Sequence, residues 1–317
     1  MAKHVKISLL GFPALTDAYN GDMESHVQKM MNYFTEKFNK VLPDKPDLVV
    51  LPEVCDRYPG FSKEQRLNYY NLRGDRIRDF LCDMARKNHF NIAYSASRNI
   101  PGDKEHPFRN STQIIGRDGS IAGIYDKYFL VPIEHDDYGI DYGNDAKVIQ
   151  TDIGNLACAI CFDLNFNELL ELYRGQKPEL VVFCSQYHGG LKQAQWAYEL
   201  GCYFAGAIDK NAGYSGILNP YGEVVARTTN YQDYITGKIN LDYEIAHIDE
   251  NSEKFLALKN KYGEGVAIYD PGHVGSVLIT CERDDISAYD MLKEFGIRNC
   301  RDYLNWARGH RAENVRV

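Results

Sequence analysis

Residues 155–168 read NLACAICFDLNFNE and carry two thiols three positions apart, Cys158 and Cys161. Four chemistries are open to such a pair: a redox couple, two metal ligands, two inert core residues, or one nucleophile with a bystander. The run 155–161 is apolar and reads as a β-strand. Side chains alternate along a strand, so positions three apart face opposite ways. A disulfide cannot close between them without breaking the strand. A redox Cys-x-x-Cys sits at a helix start, with Pro or Gly between the cysteines, and Ala159-Ile160 supplies neither. Metal binding needs further ligands at paired spacing, and none lies nearby. Free cysteine is among the most buried residue types, which makes a core thiol the plain reading of Cys158 in mid-strand. Cys161 ends the apolar run just before a helix. The carboxyl end of a strand, on a turn into a helix, is where α/β enzymes place chemistry. A helix N-terminus there would lower the thiol pKa.

A nucleophilic thiol needs a base, and its tetrahedral intermediate needs a positive partner. None of the nine histidines stands in a catalytic setting by sequence. Glu53 ends the apolar run DLVVLPE (47–53). Half-burial there would raise its pKa and fit it to shuttle protons. Lys127, in AGIYDKYFLVP, stands late in the strand that follows an Asp118-Gly119 hairpin turn. For each of the two, the alternative is a solvated charge at a strand end.

Strand ends must hold these groups. VKISLL (5–10), DLVVLPE, NIAYSAS (91–97), 155–161 and ELVVFCS (179–185) read as strands. Apolar residues at helical spacing mark helices over 22–41 (Val27, Met30, Phe34, Phe38) and 73–88 (Ile77, Leu81, Met84, Ala85), with others near 166–174 and 191–203. A second hairpin turns at Asn219-Pro220-Tyr221-Gly222. Strands alternate with helices through the first 205 residues, which indicates α/β with mixed sheets. No repeat or Pro/Gly/Ser-rich linker divides the chain, so residues 1–245 read as one domain. Residues 246–317 form a C-terminal extension that packs on the same domain or on a neighbouring subunit. It holds one strand (SVLITCE) and two helices (ISAYDMLKEFG and RDYLNWAR).

Composition narrows the function. Hydrophobic residues make up 44% of the 317 and charged residues 25%, the mix of a soluble globular protein. A net charge of −8 argues against nucleic acid as a partner. No apolar run approaches the ~20 residues of a membrane helix. Gly11 and Pro13 interrupt the N-terminal apolar run, so it reads as a first strand and not a signal peptide. Eight irregularly spaced cysteines suit reduced thiols in the cytoplasm. The segment EHDDYGIDYGND (134–145) carries five acids. It reads either as an acidic border to a cleft for a cationic substrate or as a solvated loop.

In chain order, LVVLPE, YDKYFLVP and GNLACAICFDLNFNE resemble the three signature segments of the nitrilase superfamily of carbon–nitrogen hydrolases, amidase-like branch. Gly154, Ile160, Cys161, Asp163, Phe166 and Glu168 fall where that family's cysteine segment has them, and NPYGEVVA is similar to its later hairpin. The resemblance spans roughly residues 5–245. It implies Cys161 as nucleophile, Glu53 as base, Lys127 as oxyanion partner and Glu134 as a supporting glutamate, with no metal and no cofactor. It implies hydrolysis of a small amide or carbamoyl amine through a thioester. Nitrile hydrolysis, acyl transfer by the same residues, or an idle binding protein of the same fold are the alternatives. Phe162, Gln186, Tyr187 and His188 are candidate substrate contacts, and Tyr187 and Trp196 candidate aromatic walls. Asn165 stands where arginine is usual, Asn167 where proline is, and Asp126-Lys127 where Arg-Lys is common. The resemblance further implies a four-layer α-β-β-α sandwich with two mixed sheets, assembled as a homodimer or larger.

Overall fold

In the computed structural model, which describes residues 2–315, the apolar runs pair into two six-stranded sheets and a third of three strands. The first half of the chain runs β1 (His4–Leu10), α1 (Met23–Asn39), β2 (Leu48–Val50), α2 (Lys63–Arg73), α3 (Arg76–Asn88), β3 (Asn91–Asn99), β4 (Phe108–Ile115), β5 (Ile121–Asp126) and the short α4 (Pro132–Asp136). The second runs β6 (Ile149–Thr151), β7 (Gly154–Ile160), α5 (Asn167–Arg174), β8 (Leu180–Ser185), α6 (Leu191–Leu200), β9 (Tyr203–Ile208), β10 (Gly216–Leu218), β11 (Val224–Arg227) and β12 (Tyr234–Asn240).

The strand orders are β12-β1-β2-β3-β4-β5 and β11-β10-β9-β8-β7-β6. Each sheet is mixed. β1, β2 and β3 run parallel, and β4 and β5 turn back antiparallel. β7, β8 and β9 run parallel, with β6 and β10 antiparallel beside them. The sheets stack face to face, with β2 against β8 and β9 and β4 against β7, while α1–α3 and α5–α6 cover the outer faces. This is the α-β-β-α sandwich.

The helices form where apolar side chains recur on one face. Val27, Met30, Phe34 and Phe38 of α1 are all fully buried. Each such side chain contributes about 1.5–3 kcal/mol. Asp22 caps α1 by accepting from the Glu24 and Ser25 N–H groups.

Lys6–Gly237 forms one compact unit, and a smaller one is centred on the residues from Lys238. The smaller unit contains a sheet of order β13-β15-β14 (β13 Tyr243–His247, β14 Val266–Tyr269, β15 Ser276–Cys281) and the helices α7 (Ser252–Tyr262), α8 (Ala288–Glu294) and α9 (Cys300–Asn314). Its own apolar cluster includes Leu258, Val266, Ile279, Met291 and Leu292. Among the described residues no helix is long and apolar enough to cross a membrane.

Candidate active site

Three strands of the sandwich end next to chemical groups. Glu53 follows β2 by three residues, Lys127 is the residue after β5, and Cys161 is the residue after β7. Gln186 directly follows β8. All four line one cavity of about 210 Å³.

Lys127 is the hub. It is only 1% exposed, so its ammonium requires partners. Its Nζ donates to Glu53 Oε1 at 2.9 Å and to Glu134 Oε2 at 2.7 Å. Asn110, a strand residue of β4 that sequence reasoning did not single out, ties the same two acids. Its Nδ2 donates to Glu53 Oε1 and Glu134 Oε1, each at 2.9 Å. The Asn110 carbonyl also accepts from the Lys127 N–H. Glu134 is held from its own helix start, where its Oε2 accepts from the Val131 N–H. On the other side Gln186 donates its N–H to Glu53 Oε2 and its Nε2 to the Glu53 carbonyl. The Cys161 thiol lies within hydrogen-bonding reach of the Glu53 carboxylate.

Two backbone positions here are strained. Cys161 has φ of 47° and the β-branched Val54, directly after Glu53, has φ of 38°. Such conformations cost about 1–3 kcal/mol each and persist only where surroundings fix them. At Cys161 the fixing group is Asp163. Its fully buried carboxyl accepts from the Ile160 N–H, the Phe129 N–H and the Tyr125 hydroxyl. One side chain thus ties the cysteine turn (a 3₁₀ helix over Cys161–Asn165) to the segment that carries Lys127. The stacked rings of Phe129 and Phe166, 3.8 Å apart, reinforce the same tie.

The electrostatics differ from the sequence expectation in two respects. Burial alone would raise the Glu53 carboxyl, but Lys127 and the hydrogen bonds of Lys127, Asn110 and Cys161 hold it below the usual carboxylate value. The Cys161 thiol is not lowered by its turn. Burial first, then the Glu53 charge, push it up to about 12, and Lys127 offsets them only in part. Burial would also lower the Lys127 ammonium, but Glu53 and Glu134 hold it well above its ordinary value. The resting site therefore keeps its proton on sulfur, with Glu53 ionised and Lys127 charged. Burial pushes the Asp163 carboxyl up to about 7 against the pull of its three donors.

Glu53, Lys127, Glu134, Cys161 and Gln186 line the cavity; Phe162, Tyr187 and His188 do not. Phe162 packs edge-on against Phe166, Tyr187 against Phe183, and His188 against Tyr214. Trp196 is a core residue, fully buried, with its indole N–H on the Leu164 carbonyl. Cys158 is fully buried in mid-strand. Of the five acids in 134–145 only Glu134 reaches the cavity. Asp141 pairs with Arg109, Asp145 with Lys147, and Asp136 and Asp137 are exposed, so the segment does not border the cleft as an acidic wall. Sequence reasoning also missed Arg57, Lys63 and Arg66, which line the cavity. Lys63, Arg66, Leu67 and Tyr70 recur at helical spacing on α2 and all four face the cavity, but cations at two of the four positions break the apolar pattern that marks a helix in sequence. Among the described residues no three His, Cys, Asp or Glu side chains gather as a metal site requires.

The family described as Carbon-nitrogen hydrolase matches residues 6–247. The nitrilase and fragile histidine triad fusion protein NitFhit of Caenorhabditis elegans is 25% identical over 248 residues, 71% of this chain and 55% of that protein. The deaminated glutathione amidase of Dictyostelium discoideum is 24% identical over 267 residues, 75% of this chain and 89% of that one. The chain thus spans about half the length of the first relative and most of the second. The crystal structure of C. elegans NitFhit superposes with a TM-score of 0.64 at 17% identity, covering 92% of this chain and 98% of that one. At that identity the superposition speaks for the fold.

Proposed function

The chain belongs to the carbon–nitrogen hydrolase family, and from that premise we propose that it hydrolyses a small amide through a thioester on Cys161. One observation carries the reading. A buried lysine is clamped between two carboxylates, and the same cavity wall holds a thiol within reach of one of them. A purely structural ion pair has no need of the thiol, the strained turn beneath it or the opening beside it.

Glu53, ionised at rest, takes the thiol proton as sulfur attacks the amide carbon. Sulfur never has to hold a full negative charge beside Glu53, because the charge passes to the substrate oxygen. Two of the three Lys127 ammonium donors are occupied by Glu53 and Glu134, which leaves one for that oxygen. The backbone N–H after Cys161 is the second donor. Glu53, now protonated, gives its proton to the departing nitrogen, and ammonia or an amine leaves. Glu53 then takes a proton from water as the water oxygen attacks the thioester, and the carboxylic acid departs with sulfur reprotonated. Glu134 holds Lys127 in place throughout.

Cys161→Ala should fold normally and lose at least about 10³-fold in turnover. Wild-type enzyme stopped during turnover should carry the acyl mass on the peptide containing Cys161. A Cys161→Ala enzyme as fast as wild type would exclude the assignment. The eight cysteines, all free thiols, support placing the protein in a reducing compartment, the cytoplasm. Assembly as a homodimer or larger belongs to the same proposal.

A further inference from the structure

Resting on the proposed hydrolysis, we propose that Asp56 and Arg73 are positioning residues for it: a buried ion pair behind the cavity wall that fixes the turn over 53–57 and so aims the Glu53 carboxylate. Neither residue lines the cavity. Asp56 is fully buried and Arg73 is 3% exposed. One Asp56 oxygen, Oδ2, accepts from Arg73 Nη1 at 3.0 Å and from the Tyr94 hydroxyl at 2.6 Å. Arg73 stands in the last turn of α2. Its Nη1 also donates to the Tyr94 hydroxyl oxygen at 3.2 Å, and its Nη2 donates to the Ser97 carbonyl. One guanidinium thus ties α2 to β3 and, through Asp56, to the turn that carries Glu53.

The turn needs such a tie. Val54 holds its φ of 38°, which a β-branched residue keeps only where its surroundings leave no choice. On one side of Val54, Lys127, Asn110 and Gln186 hold Glu53. On the other, the Cys55 N–H donates to the Ser95 carbonyl at 3.0 Å, and Asp56 is held by Arg73 and Tyr94. The next residue, Arg57, donates to the Gln186 side-chain oxygen, and Gln186 donates back to Glu53. A shift of Asp56 would therefore move both the backbone beside Glu53 and one of the donors to its carboxylate.

The pair is poorly built for stability alone. Two buried charges lose their hydration, and apolar residues of the same volume often serve a core as well or better. Asp56 Oδ1 and Arg73 Nε are buried with no hydrogen-bond partner, so the pair does not recover all the polar contacts it gives up. What it supplies that apolar residues would not is direction. The rigid guanidinium fork accepts one arrangement of Asp56, Tyr94 and Ser97. A catalytic group displaced by about 1 Å from a distance can lose about 10²-fold in rate.

A double-mutant cycle tests this and separates it from the hydrolysis itself. Asp56→Asn keeps an oxygen acceptor and removes the charge that orients Arg73. It should lower kcat roughly 10–100-fold while KM moves less than about threefold. In a Glu53→Gln background the same substitution should lose less than about twofold, because no base is left to aim. A change that only loosens the fold would lose the same factor in both backgrounds. Arg73→Lys should keep more of kcat than Arg73→Gln. The variant Asp56→Leu with Arg73→Met and Tyr94→Phe fills the same space without charge. It should melt within about 5 °C of wild type, show the same kcat loss, and take the place of Asp56→Asn in the cycle if that variant does not fold. The second measurement needs no turnover. Carbon-13 titration of the Glu53 carboxyl, assigned with Glu53→Gln, reads its ionisation directly. The titratable groups that face Glu53 are Lys127, Cys161 and Cys184, with Glu134 across Lys127, and none is altered in these variants. Moving the carboxyl off its donors weakens the ionised form, so the midpoint should rise toward the ordinary glutamate value of about 4.3. Equal losses in both backgrounds, or an unchanged kcat in the uncharged variants, would overturn the inference and leave the hydrolysis standing. A wild type that cleaves no amide would sink the hydrolysis; a raised Glu53 midpoint would then still bear out the positioning, and an unmoved one would overturn it.

Discussion

Glu53 is where the proposed chemistry is decided. It accepts from Lys127, Asn110 and the Gln186 N–H, and the Cys161 thiol reaches it as well. These donors favour its ionised form, and burial disfavours it. The donors win, so a carboxylate that is only 5% exposed stays charged. The ionised form is the base, and a depressed pKa moves its loss to lower pH. The acid limb of kcat/KM should therefore fall below the ordinary glutamate value of about 4.3. No basic limb from Cys161 should appear before about pH 12. A midpoint at pH 6 or above in the acid limb would contradict this. Glu53→Gln should remove the limb together with at least about 10²-fold of the rate, the usual share of a general base.

At the scale of elements, the site depends on joints between strand ends that lie far apart in the chain. Asp163 is the main one: it joins the β7 turn to the segment after β5 through three buried donors. Asp163→Ala would strand all of them, at about 1–3 kcal/mol for each unpaired group, and would release the strained Cys161 backbone. The variant should melt well below wild type and lose activity even where circular dichroism finds the fold retained. An unchanged melting temperature together with unchanged kcat would show that the joint is not needed. Gly143 forms a second joint. Its N–H donates to the Lys127 carbonyl, and a Cβ there would fall on the Asp126 carbonyl oxygen, so only glycine fits. The same scale explains what could be read in the sequence. Helix α1 was legible because its inner face is apolar apart from His26. The ends of β2 and β7 were legible because apolar runs stop there at a charge or a thiol. Helix α2 was not, because its inner face meets a polar cavity and carries Lys63 and Arg66 where a core helix carries leucine. Asn110 was hidden for a different reason: its partner Glu53 is 57 residues away, and no local pattern reports that distance. Of the two readings of the acidic run after Lys127, the solvated loop fits all but Glu134, because its neighbours in sequence turn toward Arg109, Lys147 and solvent.

Taken whole, the chain is acidic outside and cationic in one cleft. At about 0.1 M salt a charge is felt over roughly 10 Å, so the net charge of −8 sets solubility while the cleft sets what binds. Apolar surface is placed just as unevenly. Helices α5 and α6 lie side by side over the second sheet and bury Leu169, Leu170, Tyr173, Trp196 and Ala197. Yet α5 leaves Leu172 46% exposed and α6 leaves Tyr198 51% exposed. If the proposed homodimer forms through this outer face, Leu172 and Tyr198 are the large apolar side chains that its contact would cover. A two-fold axis would set the same face of each copy against itself. Sedimentation equilibrium at micromolar concentration should therefore give at least twice the monomer mass. Leu172→Glu with Tyr198→Glu should return the monomer, because each new carboxylate would have to be desolvated against its own copy across the axis. The active-site groups lie at the strand ends and not on this outer face, so the doubly substituted protein should still form the acyl-enzyme. A wild-type protein that sediments as a monomer, or a variant that stays dimeric, would move the interface elsewhere or remove it.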